Sequence, residues 1–142
     1  MAVTAERTYP RALHPLHAVL LAGTIPLFLG ALLCDLAYAA SYEIQWSNFA
    51  SWLIVGGLVF GGLALLWAVI DLFRPLRRSR LALPYALLLL ATWCLGFVNI
   101  LIHARDAWAI MPAAPIVSAI VAVLAGVATA AGFAGFRQGG GR

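Results

Sequence analysis

Histidine and aspartate in an otherwise apolar chain are where chemistry has to be sought first. His14 and His17 stand three residues apart, on one face of a helix, and Asp71 and Arg74 repeat that spacing. Imidazole can ligate iron or zinc, titrate near neutral pH and pair with a carboxylate, so His14, His17 and His103 are the candidate metal ligands. A second polar set reads Asp35, Tyr38, Asn99, His103, Arg105 and Asp106. In that set Asp35 can pair with His103 or Arg105 across two helices, and such a pair can hold or pass a proton. No glycine-rich phosphate loop, nucleophile elbow, HExxH or CxxC occurs. A non-enzymatic protein is the expectation.

The elements that position these residues are four long apolar segments, approximately Ala18 to Ala40, Phe49 to Phe73, Leu81 to His103 and Pro112 to Phe136. Each reaches the roughly 20 residues that a spanning helix needs. Hydrophobic residues are 64% of the chain and charged residues 10%, which excludes an ordinary soluble domain and a disordered one. Hydrocarbon offers no water to backbone N–H and C=O groups, and continuous rather than alternating apolar runs choose helices over a barrel. The first segment is longer than a signal peptide's apolar region and has no small-residue cleavage site before Ser41, so it is a permanent span. One four-helix transmembrane bundle with antiparallel neighbours follows, because the loops Ser41 to Ser47, Arg74 to Arg80 and Ala104 to Met111 are short.

The cations are all arginine, and their positions matter more than the net charge of +4. Arg7 and Arg11 precede the first span, Arg74, Arg77, Arg78 and Arg80 follow the second, and Arg137 and Arg142 follow the fourth. These eight lie on one side, while the opposite loops carry Glu43 and a self-cancelling Arg105 and Asp106, so the positive-inside rule puts both termini in the cytoplasm and removes nucleic acid as a partner. The cluster at Arg74 to Arg80 sets topology; an anionic lipid headgroup is its alternative ligand.

Other residues are read structurally. Pro75 stops the second helix, Pro84 and Pro112 suit the first turns of the third and fourth, and Pro26 should kink the first unless Thr24 or a neighbour replaces the lost bond. Gly57, Gly61, Ala64 and Ala68 form a small-residue face on helix 2, and Gly126, Ala130 and Ala134 form one on helix 4. Both are expected at internal helix contacts, with a homodimer seam as the alternative. Cys34 and Cys94 differ in depth by roughly 7 Å, so they are read as packing residues and not a disulfide. Tyr9, Tyr42, Trp46, Trp52 and Trp108 suit an aromatic belt, and Trp67 and Trp93 lie deeper. Residues 137–142 read as a flexible tail.

Depth divides the polar residues into an inner cluster, His14, His17, Asp71 and Arg74, and an outer one, Asp35, Asn99, His103, Arg105 and Asp106, with Tyr38 beside it. His17 and His103 are nearly a membrane thickness apart and cannot share a metal or haem. His14 and His17 lie on the same side of any one macrocycle, so a haem there needs a further ligand.

His14-Pro15-Leu16-His17, the Asp35 segment Leu32-Leu33-Cys34-Asp35-Leu36, Gly56-Gly57 through Ala64 to Val69-Ile70-Asp71-Leu72, and Asn99 with His103-Ala104-Arg105-Asp106-Ala107-Trp108 together resemble DUF2231, a domain of unknown function in bacterial inner-membrane proteins. The resemblance covers nearly all the chain. It implies a four-span domain, termini on one side, in the bacterial inner membrane. Some members look fused to Rieske-type iron–sulfur domains, which implies a redox role. This chain has no Rieske cysteine and histidine pairs, and where those relatives place a histidine near the start of helix 3 it reads Leu81-Ala82-Leu83-Pro84-Tyr85. The leading reading is a structural or partner-binding membrane protein without a cofactor, its partners the bilayer and either another membrane protein or a second copy. The alternatives are a small electron-transfer subunit holding b-type haem or associated with quinone, and a metal or proton carrier using Asp35 and His103.

Overall fold

The computed structural model describes residues 13–74, 80–105 and 107–138. These form α1 (Pro15–Ser41), α2 (Ile44–Leu72), α3 (Ala82–His103) and α4 (Ala113–Gln138), with a 3-10 turn, Ala107–Ile110, between α3 and α4. All four α-helices are long and apolar enough to cross a membrane. Within hydrocarbon each helix satisfies its own backbone, and only its ends require other partners.

Those ends explain where the helices begin and stop. At the start of α1 the His14 ring accepts the Leu16 N–H at 3.3 Å and Pro15 follows, where its missing N–H costs nothing. At the other end Tyr42 adopts a left-handed conformation (φ 56°), and its N–H closes on the Tyr38 carbonyl at 2.7 Å. The chain therefore reverses within Tyr42 and Glu43, and α2 begins at Ile44, five residues before the expected Phe49. Ser41 and Ser47, expected in a loop, are helical. Pro112 precedes α4 rather than lying in its first turn, which holds Pro115 instead; Pro84 is in the first turn of α3. Helix α4 continues through Arg137 and Gln138, where a tail was expected. Residues 139–142 lie outside the described residues, as do Arg7, Tyr9, Arg11, Pro75, Arg77, Arg78 and Asp106.

Each helix packs along its two neighbours in a closed square, α1 on α2 and α4, and α3 on the same two, so α1 and α3 face each other across the diagonal. The inward positions of α1 are His17, Leu21, Thr24, Phe28, Ala31, Asp35 and Tyr38. Those of α4 are Ala114, Ser118, Val121, Ala125, Ala128 and Gly132. Both series step alternately by four and three, the average of about 3.5 that keeps one seam facing inward along a left-handed bundle.

Close approach comes from glycine. A β-carbon on Gly57 would stand 2.6 Å from the Phe28 ring of α1, and one on Gly23 would stand 2.5 Å from the Phe60 ring of α2. Each helix thus seats an aromatic ring on the other's bare backbone. This is how α2's small face is used, in an internal contact. The corresponding expectation for α4 is corrected: nothing lies within 4 Å of a β-carbon on Gly126, and Ala130 and Ala134 are exposed. The inward small residues of α4 are Ala125, Ala128 and Gly132, one or two positions earlier in the chain. Cys94 is likewise exposed rather than buried, and both cysteines are free. Helix α1 runs unbroken through Pro26; the Thr24 hydroxyl donates to the Leu21 carbonyl at 2.7 Å, not to the Ala22 carbonyl that proline leaves without its donor.

Gly57→Ala should lower thermal stability in detergent by about 1–3 kcal/mol, because Phe28 has to move. Gly126→Ala should leave it unchanged or raise it by up to about 1 kcal/mol, since alanine is the better helix former. Melting curves of the two variants in one detergent check this; equal shifts would contradict the assignment of inward and outward faces.

Candidate functional site

Three helices converge on Asp35. Its carboxylate, 0% exposed, meets the Nε2 of His103 from α3 at 2.8 Å and accepts the Ser118 hydroxyl of α4 at 2.5 Å. Ser118 in turn accepts the side-chain N–H of Asn99 at 2.8 Å, and His103 Nδ1 lies 2.9 Å from the Asn99 backbone carbonyl. Asn99 and Ser118 are 0% and 1% exposed. The heptad geometry produces this convergence: Asp35, Asn99, His103 and Ser118 all occupy inward positions at one depth.

The hydrogen bonds constrain the protons. A carbonyl oxygen only accepts, so His103 Nδ1 carries a hydrogen. The 2.8 Å contact between Nε2 and the carboxylate then needs one proton on its line, held as imidazolium and carboxylate or as imidazole and carboxylic acid. The pair is electrically neutral overall in either form, which is what a site without water favours. Since Ser118 gives its hydrogen to Asp35, its oxygen faces the amide N–H₂ of Asn99, and Asn99 Oδ1 is left buried without a partner.

The serine is bonded to the carboxylate and not to the imidazole, so the hydroxyl–imidazole hydrogen bond of a serine–histidine pair is not formed. Both ring nitrogens of His103 are engaged in hydrogen bonds.

Of the expected outer cluster the structure brings together Asp35, Asn99 and His103. Arg105 is exposed at the end of the bundle, past the last turn of α3; Asp106 lies outside the described residues. Tyr38 is buried one step beyond Asp35, in an apolar cluster with Ile102, Ile110 and Ala114. Ser118 was missed. A serine in a span can bond back to its own helix, so its presence alone carries no signal; its inward register with Val121 and Ala125 does.

The expected inner cluster is arranged differently. His17 Nε2 meets the Tyr85 hydroxyl of α3 at 3.1 Å, while exposed His14 caps α1, and both imidazoles lie against Trp67, at 4.7 Å for His14 and 5.9 Å for His17. Asp71 and Arg74 approach each other at 3.7 Å within one turn, with the arginine side chain 58% exposed. His17 hydrogen-bonds to neither of them. Tyr85 was noted in the sequence only as standing where relatives carry histidine, and its spacing from His17 is the clue. The two bridges share it: His17 to Tyr85 and Asp35 to His103 are each separated by 68 residues. Among the described residues no three His, Cys, Asp or Glu side chains gather as a metal site.

The family model described as a predicted membrane protein (DUF2231) matches residues 13–138, from the residue before the His14 cap to the last residue of α4. The chain belongs to the DUF2231 family. No curated protein and no solved structure matches it. The matched span contains both diagonal bridges, so this DUF2231 domain is the whole four-helix unit.

Ser118→Ala should destabilise this DUF2231 protein by about 1–3 kcal/mol, because it strips a donor from the buried carboxylate and an acceptor from Asn99. Ser51→Ala, which removes only a bond to the Ser47 carbonyl on the same helix, should cost under about 1 kcal/mol. Thermal melts of both variants compare the two, and matching losses would remove Ser118's special place.

Proposed function

We propose that this protein is a non-enzymatic integral membrane protein of the bacterial inner membrane, both termini cytoplasmic, whose Asp35–His103–Ser118–Asn99 network is a polar lock between α1, α3 and α4. The observation that carries the reading is that both carboxylate oxygens and both imidazole nitrogens are engaged inside a buried layer. Groups so committed hold helices in register; the one unpartnered atom of the network among the described residues, Asn99 Oδ1, is buried with it. The lipid-facing Gly126, Ala130 and Ala134 of α4, which the bundle leaves uncovered, are the face for a partner helix or a second copy.

The same geometry weighs against a haem between α1 and α3. His17 Nε2 and the Tyr85 hydroxyl touch at 3.1 Å, which leaves no width for an iron and its macrocycle between them. It also weighs against a carrier. Thr24, Thr92 and Thr129, the hydroxyls of the middle of the bundle, each donate to a backbone carbonyl, and Phe28, Ile54 and Val121 fill the space around them.

Two substitutions at one position separate a lock from a proton carrier. In Asp35→Asn the new amide N–H can donate to His103 Nε2 while its oxygen still accepts from Ser118, so the expected cost is within about 1 kcal/mol. Asp35→Ala leaves His103 and Ser118 without a partner and should cost about 3 kcal/mol. Equal damage from both, read by thermal melting in detergent, would mean that the site needs an ionisable group and would overturn the lock. An oxidised-minus-reduced absorption spectrum of the same mild-detergent preparation tests the redox reading: it should show no haem bands, and bands abolished by His17→Ala would replace this proposal with it.

A further inference from the structure

His17 is 2% exposed, yet only one of its nitrogens is used. Nε2 meets the Tyr85 hydroxyl, while Nδ1 is buried with no hydrogen-bond partner among the described residues. A neutral imidazole carries one N–H. If Tyr85 donates to Nε2, that hydrogen sits on Nδ1 and one donor is unsatisfied. The opposite assignment leaves two groups without partners, the phenol hydrogen and the Nδ1 lone pair. The first arrangement is therefore favoured, and it aims an unused N–H into an apolar, aromatic site. An unpaired donor in such a place is costly, and buried polar atoms in folded proteins are nearly always satisfied by something.

What satisfies it can be read from the surroundings. The Trp67 indole lies 5.9 Å and the Tyr85 ring 6.3 Å from the imidazole, so the site is walled by flat rings. Neither nitrogen of His17 is hydrogen-bonded to a charged side chain among the described residues, and a neutral acceptor adds no buried charge to the site. A buried ligand must offer an acceptor oxygen, be flat enough to lie against indole and phenol, and reach the site from the bilayer. Along the adjoining α2–α3 seam, Gly62, Leu65, Leu66, Val69, Leu90 and Trp93 line an open apolar groove of about 350 Å³. Leu65 of this groove packs against the same buried cluster as Tyr85, and its apolar lining suits a hydrocarbon tail.

We propose that His17, Tyr85 and Trp67 bind the headgroup of a lipid-soluble quinone, one carbonyl accepting from His17 Nδ1, with the isoprenoid tail in the α2–α3 groove. The proposal concerns binding alone. It goes beyond the lock and does not depend on it, since the two sites occupy opposite ends of the bundle.

The test is a titration of the full chain in mild detergent with decylubiquinone, followed by quenching of tryptophan fluorescence. Saturable quenching is expected, with His17→Phe raising Kd at least about tenfold, the loss of a single good hydrogen bond. Leu90→Phe, which narrows the groove and leaves His17 intact, should weaken decylubiquinone but not the tailless ubiquinone-0; it carries the test if His17→Phe does not fold. Linear, non-saturable quenching identical in wild type and both variants would mean that the probe only partitions into detergent, and would overturn the site, as would a Kd unchanged in His17→Phe or in Leu90→Phe. Failure here leaves the melting comparison at Asp35 untouched, so the two proposals stand or fall separately.

Discussion

A carboxyl group kept from water, in the part of a protein that lipid surrounds, dictates most of what its neighbours can be. Asp35 has no solvent to turn to, so α3 and α4 must each bring it a partner at the same depth. His103 and Ser118 do so. Two helices converging on one residue of a third fix the height of all three, and Asn99 ties α3 to α4 in the same layer. Lipid tails are as apolar as leucine, so helices in a membrane gain little from hydrophobic association. Registry has to come from shape and from polar contacts. Here shape comes from the rings of Phe28 and Phe60 on bare glycine backbone, which join α1 to α2. The polar lock joins α1, α3 and α4.

The 68-residue offset shared by the two diagonal bridges has a geometric meaning. Between His17 and Asp35, and between Tyr85 and His103, lie five turns of helix, roughly 27 Å, so both residues on each helix point in the same direction. Helices α1 and α3 therefore run parallel, at equal height, with the same face toward the bundle axis. One contact between two helices allows each to rotate or tilt about it. Two contacts so far apart prevent both. The buried motif also repeats between them: Leu21 and Leu89 fill matching inward positions, and three residues on Thr24 and Thr92 each return a hydroxyl bond to a carbonyl one turn back. The two helical hairpins thus stand in an approximate two-fold relation about an axis running along the helices, with the polar bridges on that axis.

Which parts of this were legible follows from what hydropathy measures. It reports whether a segment can span, and the four α-helices lie where the apolar runs lie. It does not report rotation. A spanning helix is apolar all round, so the alternation of inward and outward faces that marks a surface helix is nearly erased. The small residues are the remaining signal, and it is ambiguous: Gly57 and Gly126 belong to similar patterns, yet one accepts a phenylalanine ring and the other faces outward. Rare ionisable residues are better guides, because burial forces them to find partners. Hence Asp35 and His103 stood out and their pairing was among the readings, while Ser118 and Tyr85, affordable anywhere in a span, did not. The tight reversal at Tyr42 was hidden for another reason, since a left-handed tyrosine leaves no glycine to mark it.

The separation of the two polar ends shapes what either can do. The space between them is filled by Phe28, Ala31, Ile54, Val121 and Ala125, and the threonine hydroxyls that cross this region are bonded to carbonyls. Among the described residues the buried side chains between His17 and Asp35 are apolar or threonines already bonded to carbonyls, which separates the two polar layers. The outer layer has every imidazole and carboxylate atom committed, whereas the inner one has a nitrogen to spare at the level where the helix begins. A carboxylate held by two other helices at one end, and an imidazole with an unpartnered nitrogen at the other, divide the bundle into a layer that fixes register and a layer with hydrogen-bonding capacity to spare.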